Sequence, residues 1–321
     1  MNDSRAPESI DEQKQYRIAI AGASSGIGAA IAVALLQVGH KVWMCARRSD
    51  RLDALANGRP NASVHRCDVG DENDVIEFAS RVADETPALD VLINCAGTAG
   101  PIGPAVEVNT VDWERALRTN VLGALYLARH FTPLLREGVD PTIISFAGGG
   151  AFDPLPNFSA YAVSKSALVR LVETLAVELA EHGITCNAVA PGFVVTEIHE
   201  ATLAAGPELA GEAFHDRTAQ ALETGVGAIP IDWPVACVSH LMEHRNNGLT
   251  GKTISVSFDP WASPEFEQRV PEINASSLYA MERINLRHLE DSELKMSLES
   301  APRPPAPDGV NLAQGKQEPD I

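Results

Sequence analysis

The stretch Gly22-Ala-Ser-Ser-Gly-Ile-Gly28 follows the apolar run Tyr16-Arg-Ile-Ala-Ile-Ala21 and precedes the run Ala29-Ala-Ile-Ala-Val-Ala-Leu-Leu36. This order predicts a buried strand, a glycine turn and a helix. Because glycine has no Cβ, such a turn can be tight and can approach a ligand closely. The free N–H groups and the positive dipole end of the helix then favour an anion. In an α/β sheet, the usual anion at this junction is a dinucleotide pyrophosphate.

Apolar strand-like runs and helical patterns alternate up to residue 257 without a linker-like break. The predicted strands lie near residues 16–21, 41–46, 63–67, 90–94, 141–146, 184–189 and 253–257. The predicted helices lie near residues 26–38, 50–57, 72–84, 112–136, 160–182 and 232–244. This alternation predicts an α/β fold: a Rossmann-type doubly wound parallel sheet of about seven strands, with helices on both faces and ligands at the carboxyl ends of the strands.

Composition excludes several classes of partner. The chain has 321 residues and a formal charge of −18, which disfavours nucleic acid and anionic membranes. No apolar run approaches the ~20 residues of a membrane span, and the polar N-terminus does not resemble a signal peptide. The five cysteines have no metal-like spacing and predict reduced thiols in a cytoplasmic protein. The histidines have no zinc-like spacing with Cys or Asp, so we expect no metal site.

Three further motifs follow the glycine turn in order. Asn94-Cys-Ala-Gly97 closes a strand, Tyr161-Ala-Val-Ser-Lys165 opens a helix, and Pro191-Gly192 ends a later strand. Together they resemble the pattern Gly-x-x-x-Gly-x-Gly, Asn-Asn-Ala-Gly, Tyr-x-x-x-Lys and Pro-Gly of the short-chain dehydrogenase/reductase family, in its main single-domain branch. The resemblance covers residues 14–258. It implies an oxidoreductase that uses a nicotinamide cofactor.

The end of the second strand bears on which cofactor is used. Ala46 stands where NAD-preferring relatives carry Asp, and Arg47 and Arg48 follow it. An arginine fork pairs with a 2′-phosphate, whereas an acid would accept from a 2′-hydroxyl. NADP(H) is therefore favoured, and NAD(H) is the alternative. The resemblance implies the following cofactor-binding residues: Gly22, Ser24, Ser25, Gly26, Ile27, Gly28, Arg47, Arg48, Asp68, Val69, Asn94, Ala96, Gly97, Tyr161, Lys165, Pro191, Gly192, Val194 and Thr196.

The Tyr161–Lys165 spacing places a phenol and an ammonium one helical turn apart, on one face of a helix. A nearby ammonium stabilises tyrosinate, so we expect Lys165 to lower the pKa of Tyr161 from its ordinary value near ~10. The resemblance implies that Tyr161 is the general acid/base and that Lys165 also holds the nicotinamide ribose. It implies that Asn120 seats a water that relays protons to Lys165.

The family's serine, about 13 residues before the tyrosine, is missing here. Its position falls on Ala147 or Gly148. Ser145 lies two residues before Ala147 on the strand and can serve only if the loop is reshaped. Losing one donor of this type typically costs ~2.7–4 kcal/mol of transition-state binding. Three other groups could donate a hydrogen bond to the substrate oxygen instead. They are the Ser159 hydroxyl, a backbone N–H of the glycine run and a hydroxyl of the substrate itself.

The expected function is NADP(H)-dependent interconversion of a secondary alcohol and a ketone on a small, polar biosynthetic metabolite. The polar character is inferred from residues 197–231, which contain Glu197, His199, Glu200, His215, Asp216 and Arg217. One alternative is a 3-oxoacyl-thioester reductase, although the acidic composition supplies no basic patch for an acidic carrier. The other is a catalytically weakened, cofactor-binding partner protein that lacks the serine.

The domain organisation follows from the change of pattern at both ends. We expect residues 1–14 to be disordered, residues 15–258 to form the catalytic domain and residues 300–321, which are Pro-rich, to be a disordered tail. Residues 259–299 would form a C-terminal extension, a lid or an oligomer arm, with one or two short helices within 264–294, around the run Leu278-Tyr-Ala-Met-Glu-Arg-Ile-Asn-Leu286. By resemblance, the helices at 112–136 and 160–182 would build a homodimer or homotetramer. The alternative is that they only cover the sheet of a monomer.

Overall fold

A computed structural model describes residues 15–281 of the protein. Its seven strands are β1 (Arg17–Ala21), β2 (Lys41–Ala46), β3 (Ala62–Arg66), β4 (Val91–Asn94), β5 (Thr142–Phe146), β6 (Thr185–Ala190) and β7 (Thr253–Ser255). They form one parallel sheet with the order β3-β2-β1-β4-β5-β6-β7. The order reverses between β1 and β4, which opens a crevice at the carboxyl ends of these strands. The predicted doubly wound α/β sheet is confirmed.

Eleven helices are described within residues 15–281. They are α1 (Gly26–Gln37), α2 (Ser49–Ala56), α3 (Glu72–Glu85), α4 (Thr110–Leu117), α5 (Gly123–Leu135), α6 (Ser159–Glu178), α7 (Glu200–Ala210), α8 (Glu212–Thr224), α9 (Asp232–Glu243), α10 (Pro264–Gln268) and α11 (Val270–Asn274). None of these described helices is long and apolar enough to cross a membrane.

The sheet is buried on both faces because its central strands are apolar at successive positions. Val91, Leu92 and Ile93 of β4 are each fully buried. Leu92 packs in a core cluster with Phe131 of α5 on one face. Val91 and Ile93 pack in a second cluster with Ile31 of α1 on the other. Alternate side chains of one strand therefore enter two cores, which places helices on both faces.

The predicted helix at 112–136 is divided into three parts. A π-helical turn, Arg118–Leu122, joins α4 to α5. Asn120 in this turn is fully buried and accepts a hydrogen bond from the Thr98 backbone N–H at 2.9 Å. Its amide donates to the Thr98 carbonyl at 2.9 Å and to Ser164 Oγ at 2.8 Å. The widened turn thus ties the loop after β4 to α6, a use typical of π turns near functional sites.

The chain continues to pack after residue 258. Phe266, Val270 and Ile273 of α10 and α11 are buried in the same cluster as the α1 face. Trp261 Nε1 donates to the Val256 carbonyl at 3.1 Å. Two short helices are present, as expected, but they precede Leu278, and residues 278–281 are not helical. The predictions for residues 1–14, 282–299 and 300–321 lie outside the described residues.

Candidate active site

The glycine turn lies between β1 and α1, where the backbone folds against the chain that follows β4. Gly22 has φ +79, and its N–H donates to the Cys45 carbonyl at 2.9 Å. A Cβ on Gly22 would lie 2.5 Å from the Ala96 nitrogen, and a Cβ on Gly28 would lie less than 3.0 Å from the Gly22 carbonyl oxygen. Both glycines are therefore required by close packing of the turn against its own backbone, and the N-terminus of α1, where an anion would bind, lines the cavity. The turn fits a dinucleotide.

A cavity of about 790 Å³ opens at the carboxyl ends of the strands. The predicted cofactor residues that line it are Gly22, Ser24, Ser25, Gly26, Ile27, Gly28, Arg47, Arg48, Asp68, Val69, Ala96, Gly97, Tyr161, Lys165, Pro191, Gly192, Val194 and Thr196. Of that predicted set, Asn94 is not in the wall. It lies behind it, where its Oδ1 accepts a hydrogen bond from the Ala96 N–H at 3.1 Å.

Arg48 forms hydrogen bonds and an ion pair at the end of the cavity that the glycine turn lines. Its guanidinium donates to Ser24 Oγ at 3.2 Å and to Ser25 Oγ at 2.8 Å. A second nitrogen lies 2.7 Å from Glu197 Oε2, and Arg51 donates to the other oxygen of Glu197. These hydrogen bonds from Arg48 and Arg51 lower the pKa of Glu197 to about 2. Glu197 is thus an anion paired with Arg48, one of the two arginines from which the sequence analysis predicted a 2′-phosphate site.

Tyr161 and Lys165 lie on the first turns of α6 and line the same cavity. Lys165 Nζ donates to the Phe146 carbonyl at 2.7 Å and lies 5.7 Å from the centre of the Tyr161 ring. Burial lowers the pKa of Lys165 to about 8 and raises the pKa of Tyr161 to about 12. The expected lowering of the Tyr161 pKa is not found in this structure, because burial alone shifts that pKa, and it shifts it upward.

Gly148 contacts the phenol of Tyr161. A Cβ at Gly148 would lie 2.9 Å from Tyr161 Cζ and closer still to the hydroxyl oxygen. The side-chain position beside the phenol is therefore 148, and Ala147 is a buried residue that also lines the cavity. Ser145 is also buried, on β5, and does not line the cavity, so the loop is not reshaped to present it. Ser159 Oγ accepts a hydrogen bond from Trp113 Nε1 at 3.1 Å.

Asn120 also lies outside the cavity wall, next to the lysine. An ideal Cβ on Gly97 would be 3.4 Å from Lys165 Nζ and 3.5 Å from Asn120 Oδ1. Glycine at this position thus keeps a small space open between the ammonium and the amide. The structure brings Tyr161, Lys165 and Asn120 into one region, and it leaves Ser145 out of it.

An aromatic wall was missed by the sequence analysis. The rings of Phe158 and Phe214 meet edge to face at 4.9 Å, and those of Phe193 and Phe214 at 6.2 Å. All three line the cavity. Arg217 of α8 lies 5.0 Å above the Phe193 ring. Phe193 directly follows Pro191-Gly192 and could have been found from that motif, but the other two rings come from distant segments.

Comparison with known proteins agrees with this architecture. The short chain dehydrogenase family model matches residues 17–205. The short chain dehydrogenase andI of Emericella variicolor is 28% identical over 282 residues, 85% of this chain and 90% of the relative. The short chain dehydrogenase mpl6 of Monascus purpureus is 31% identical over 275 residues, 79% of this chain and 93% of the relative.

Among solved structures, a variant of actinorhodin polyketide ketoreductase with NADPH is similar, with TM-score 0.65 and 26% identity. The match covers 75% of this chain and 95% of that chain. The sequence motifs, the strand order, the cleft and the similar proteins all indicate the same family. The chain belongs to the short chain dehydrogenase family and is an oxidoreductase of the class that acts on CH–OH and C=O groups.

Proposed function

We propose that the protein is an NADP(H)-dependent ketoreductase that interconverts a secondary alcohol and a ketone, with Tyr161 as general acid/base. The observation that supports this most strongly is the position of the Tyr161 hydroxyl against Gly148, inside the cavity that the glycine turn also lines. When bound, the nicotinamide supplies or accepts the hydride. The chain's own residues then donate or accept the proton and stabilise the charge on the substrate oxygen.

Tyr161 donates its proton to the developing alkoxide during ketone reduction. Because burial raises the pKa of Tyr161 to about 12, the phenol is protonated at neutral pH and ready to donate. Lys165 is anchored by the Phe146 carbonyl at 2.7 Å, so its ammonium stays next to the phenol and stabilises the tyrosinate that remains. Asn120 is a positioning residue that holds the loop at Thr98. The N–H groups after Gly148 are the proposed substitutes for the missing serine.

The cofactor preference is proposed from the end of β2. Arg47 is exposed at the cavity, and Arg48 forms a fork on Ser24, Ser25 and Glu197. A 2′-phosphate carries more negative charge than one carboxylate and can take the same fork. Glu197 must then release Arg48, so its carboxylate competes with NADP(H) and does not compete with NAD(H).

Glu197→Gln is expected to strengthen NADPH binding about two- to fivefold, the range of an exposed ion pair, with NADH binding unchanged. The measurement is the dissociation constant of each cofactor, followed by fluorescence of the reduced nicotinamide. Glu208→Gln, an exposed change on α7, is the control and should alter neither constant. Equal gains for both cofactors would show that Glu197 does not oppose a phosphate.

The substrate is proposed to be a flat ketone that carries an anionic group. The expectation of a polar substrate, drawn from residues 197–231, needs revision, because Glu197 faces Arg48 and the cavity near Tyr161 has three phenylalanines in its wall. Aromatic walls bind flat apolar bodies. Within residues 15–281, the Arg217 side chain forms no ion pair and no hydrogen bond, and its guanidinium lies 5.0 Å from the centre of the Phe193 ring. Its guanidinium is therefore available for a substrate carboxylate.

Arg217→Gln is expected to raise the KM for 4-acetylbenzoate about tenfold, the effect of one charge-assisted hydrogen bond, and to leave kcat within about twofold. The methyl ester of the same ketone carries no charge, so its KM should not change. Arg115→Gln, an exposed arginine on α4, is the control variant. A loss that is equal for acid and ester would contradict the anion-binding role.

Two other functions remain in competition. A 3-oxoacyl-thioester reductase would turn over thioesters better than aryl ketones in the same assay. A silent cofactor-binding protein would bind NADPH and reduce none of them. The assay that separates the three follows the absorbance of NADPH over a panel of ketones and thioesters.

We also propose a homodimer or homotetramer that uses the helices formed by α4 to α6. The apolar side chains of Val111, Leu125, Val163 and Val177 are exposed in the single chain, with 61%, 37%, 48% and 78% of their surface accessible. Covering them would remove apolar area from water. The cytoplasmic location stays a prediction.

A further inference from the structure

Two histidines and a glutamate meet outside the active-site cavity, between α9 and α10. His240 and His244 are one helical turn apart at the end of α9, and Glu267 belongs to α10. One ligand atom from each of the three side chains lies within 4.8 Å of the other two. None of the three lines the cavity around Tyr161.

Hydrogen bonds fix the orientation of two of these side chains. His244 Nδ1 lies 3.0 Å from the His240 carbonyl oxygen, which can only accept, so Nδ1 carries the proton of a neutral ring. The lone pair of His244 is then on Nε2. Asn247 Nδ2 donates to Glu267 Oε2 at 2.7 Å, which leaves Oε1 for another partner. Such outer hydrogen bonds are typical of residues that bind metals.

The third side chain is joined to the carboxylate. His240 Nε2 lies 2.7 Å from Glu267 Oε1, and the rings of His240 and His244 stack at 4.1 Å. In a tetrahedral zinc site, ligand atoms lie about 3.3 Å apart. The His240 and Glu267 atoms are 2.7 Å apart and all three ligand atoms lie within 4.8 Å of one another, so zinc binding requires adjustments of about an ångström or two in these side chains. The proton now on His240 Nε2 would move to Nδ1.

We propose that His240, His244 and Glu267 form a Zn²⁺ site that joins α10 to α9. Two imidazole nitrogens and one carboxylate oxygen are a donor set that zinc accepts, with water completing the tetrahedron. The side chains of His240 and Glu267 are 16% and 22% exposed, so an ion can reach them. The ion would hold the segment after β7 on the helix that packs against α1. This inference does not depend on the proposed function.

The test is calorimetric titration of ZnCl₂ into the full chain after removal of metals with EDTA. We expect one Zn²⁺ per chain, a higher Tm with Zn²⁺, and visible absorption of a four- or five-coordinate site with Co²⁺. His244→Ala and Glu267→Gln should each weaken Zn²⁺ binding at least about tenfold, as loss of a ligand does. His130→Ala is the control, because His130 Nε2 lies 2.9 Å from Glu72 Oε1 in a pair of the same kind.

Circular dichroism in EDTA checks that each variant is folded, and NADPH binding should be unchanged in all of them. If His244→Ala does not fold, Glu267→Gln still tests the proposal, because it replaces one polar side chain with another of similar size. Absence of saturable Zn²⁺ binding to the wild type would overturn the proposal. So would binding that is equally strong in Glu267→Gln and His130→Ala.

Discussion

Tyr161→Phe is expected to lower kcat for ketone reduction about a thousandfold, within the range that a positioned general acid contributes. The phenol is partly buried and lies against Gly148, and its only polar atom is the one that the mechanism uses. Removing that oxygen leaves the ring packed in place, so NADPH affinity and Tm should change little. The measurement is kcat from NADPH absorbance, together with cofactor binding by fluorescence.

The matched control for this variant is Tyr126→Phe. Tyr126 is a partly buried tyrosine on α5 that packs against the core and does not line the cavity. It should keep full activity. Tyr161→Phe with wild-type turnover would refute Tyr161 as the proton donor. Lost NADPH binding in that variant would instead indicate a structural role.

Gly148→Ala is expected to lower kcat about a hundredfold, because a displacement of ~1 Å at a reacting group can cost that much. The added Cβ would lie 2.9 Å from Tyr161 Cζ and closer to the hydroxyl, so the phenol must move. The backbone of Gly148 has no positive φ, so alanine brings no strain of its own. The effect should appear in kcat, with Tm and NADPH affinity close to wild type.

The neighbouring glycine supplies the control. A Cβ on Gly149 would meet no atom within 4 Å, so Gly149→Ala should stay active. Equal activity of the two variants would show that the phenol is not held against position 148. Gly148→Ser adds a hydroxyl at the family's serine position, and we expect it to stay below wild type because its Cβ displaces the phenol as alanine does.

Local patterns predicted the fold well because they reflect local physics. The strand-like runs predicted each strand to within a residue or two. The central strands are apolar because both faces are buried, whereas the edge strand β3, Ala62–Arg66, is more polar and only partly buried. The glycine spacing was equally informative, because Gly22 and Gly28 leave no room for a side chain. Such requirements act on single residues and their neighbours, so a sequence records them directly.

Other features depended on segments that meet only in the folded chain. The π turn around Asn120 follows from its bonds to Thr98 and Ser164, and a regular helix was the reasonable prediction. Burial reversed the expected direction of the Tyr161 pKa, and burial is a property of the whole cleft. Ser145 was a candidate for the missing serine because it is the right residue type, but it is buried on β5 and does not reach the cavity.

The sequence by itself determined the α/β sheet, the glycine turn, the family and the Tyr161–Lys165 pair, because each is encoded by spacing along one strand or one helix. Only the tertiary structure decided which distant residues are in contact. Glu197 pairs with Arg48, and Glu267 pairs with His240. Three phenylalanines form a wall of the cavity next to Arg217. These contacts join residues far apart in the chain. Their distances are set by how the elements pack, and no local pattern carries that information.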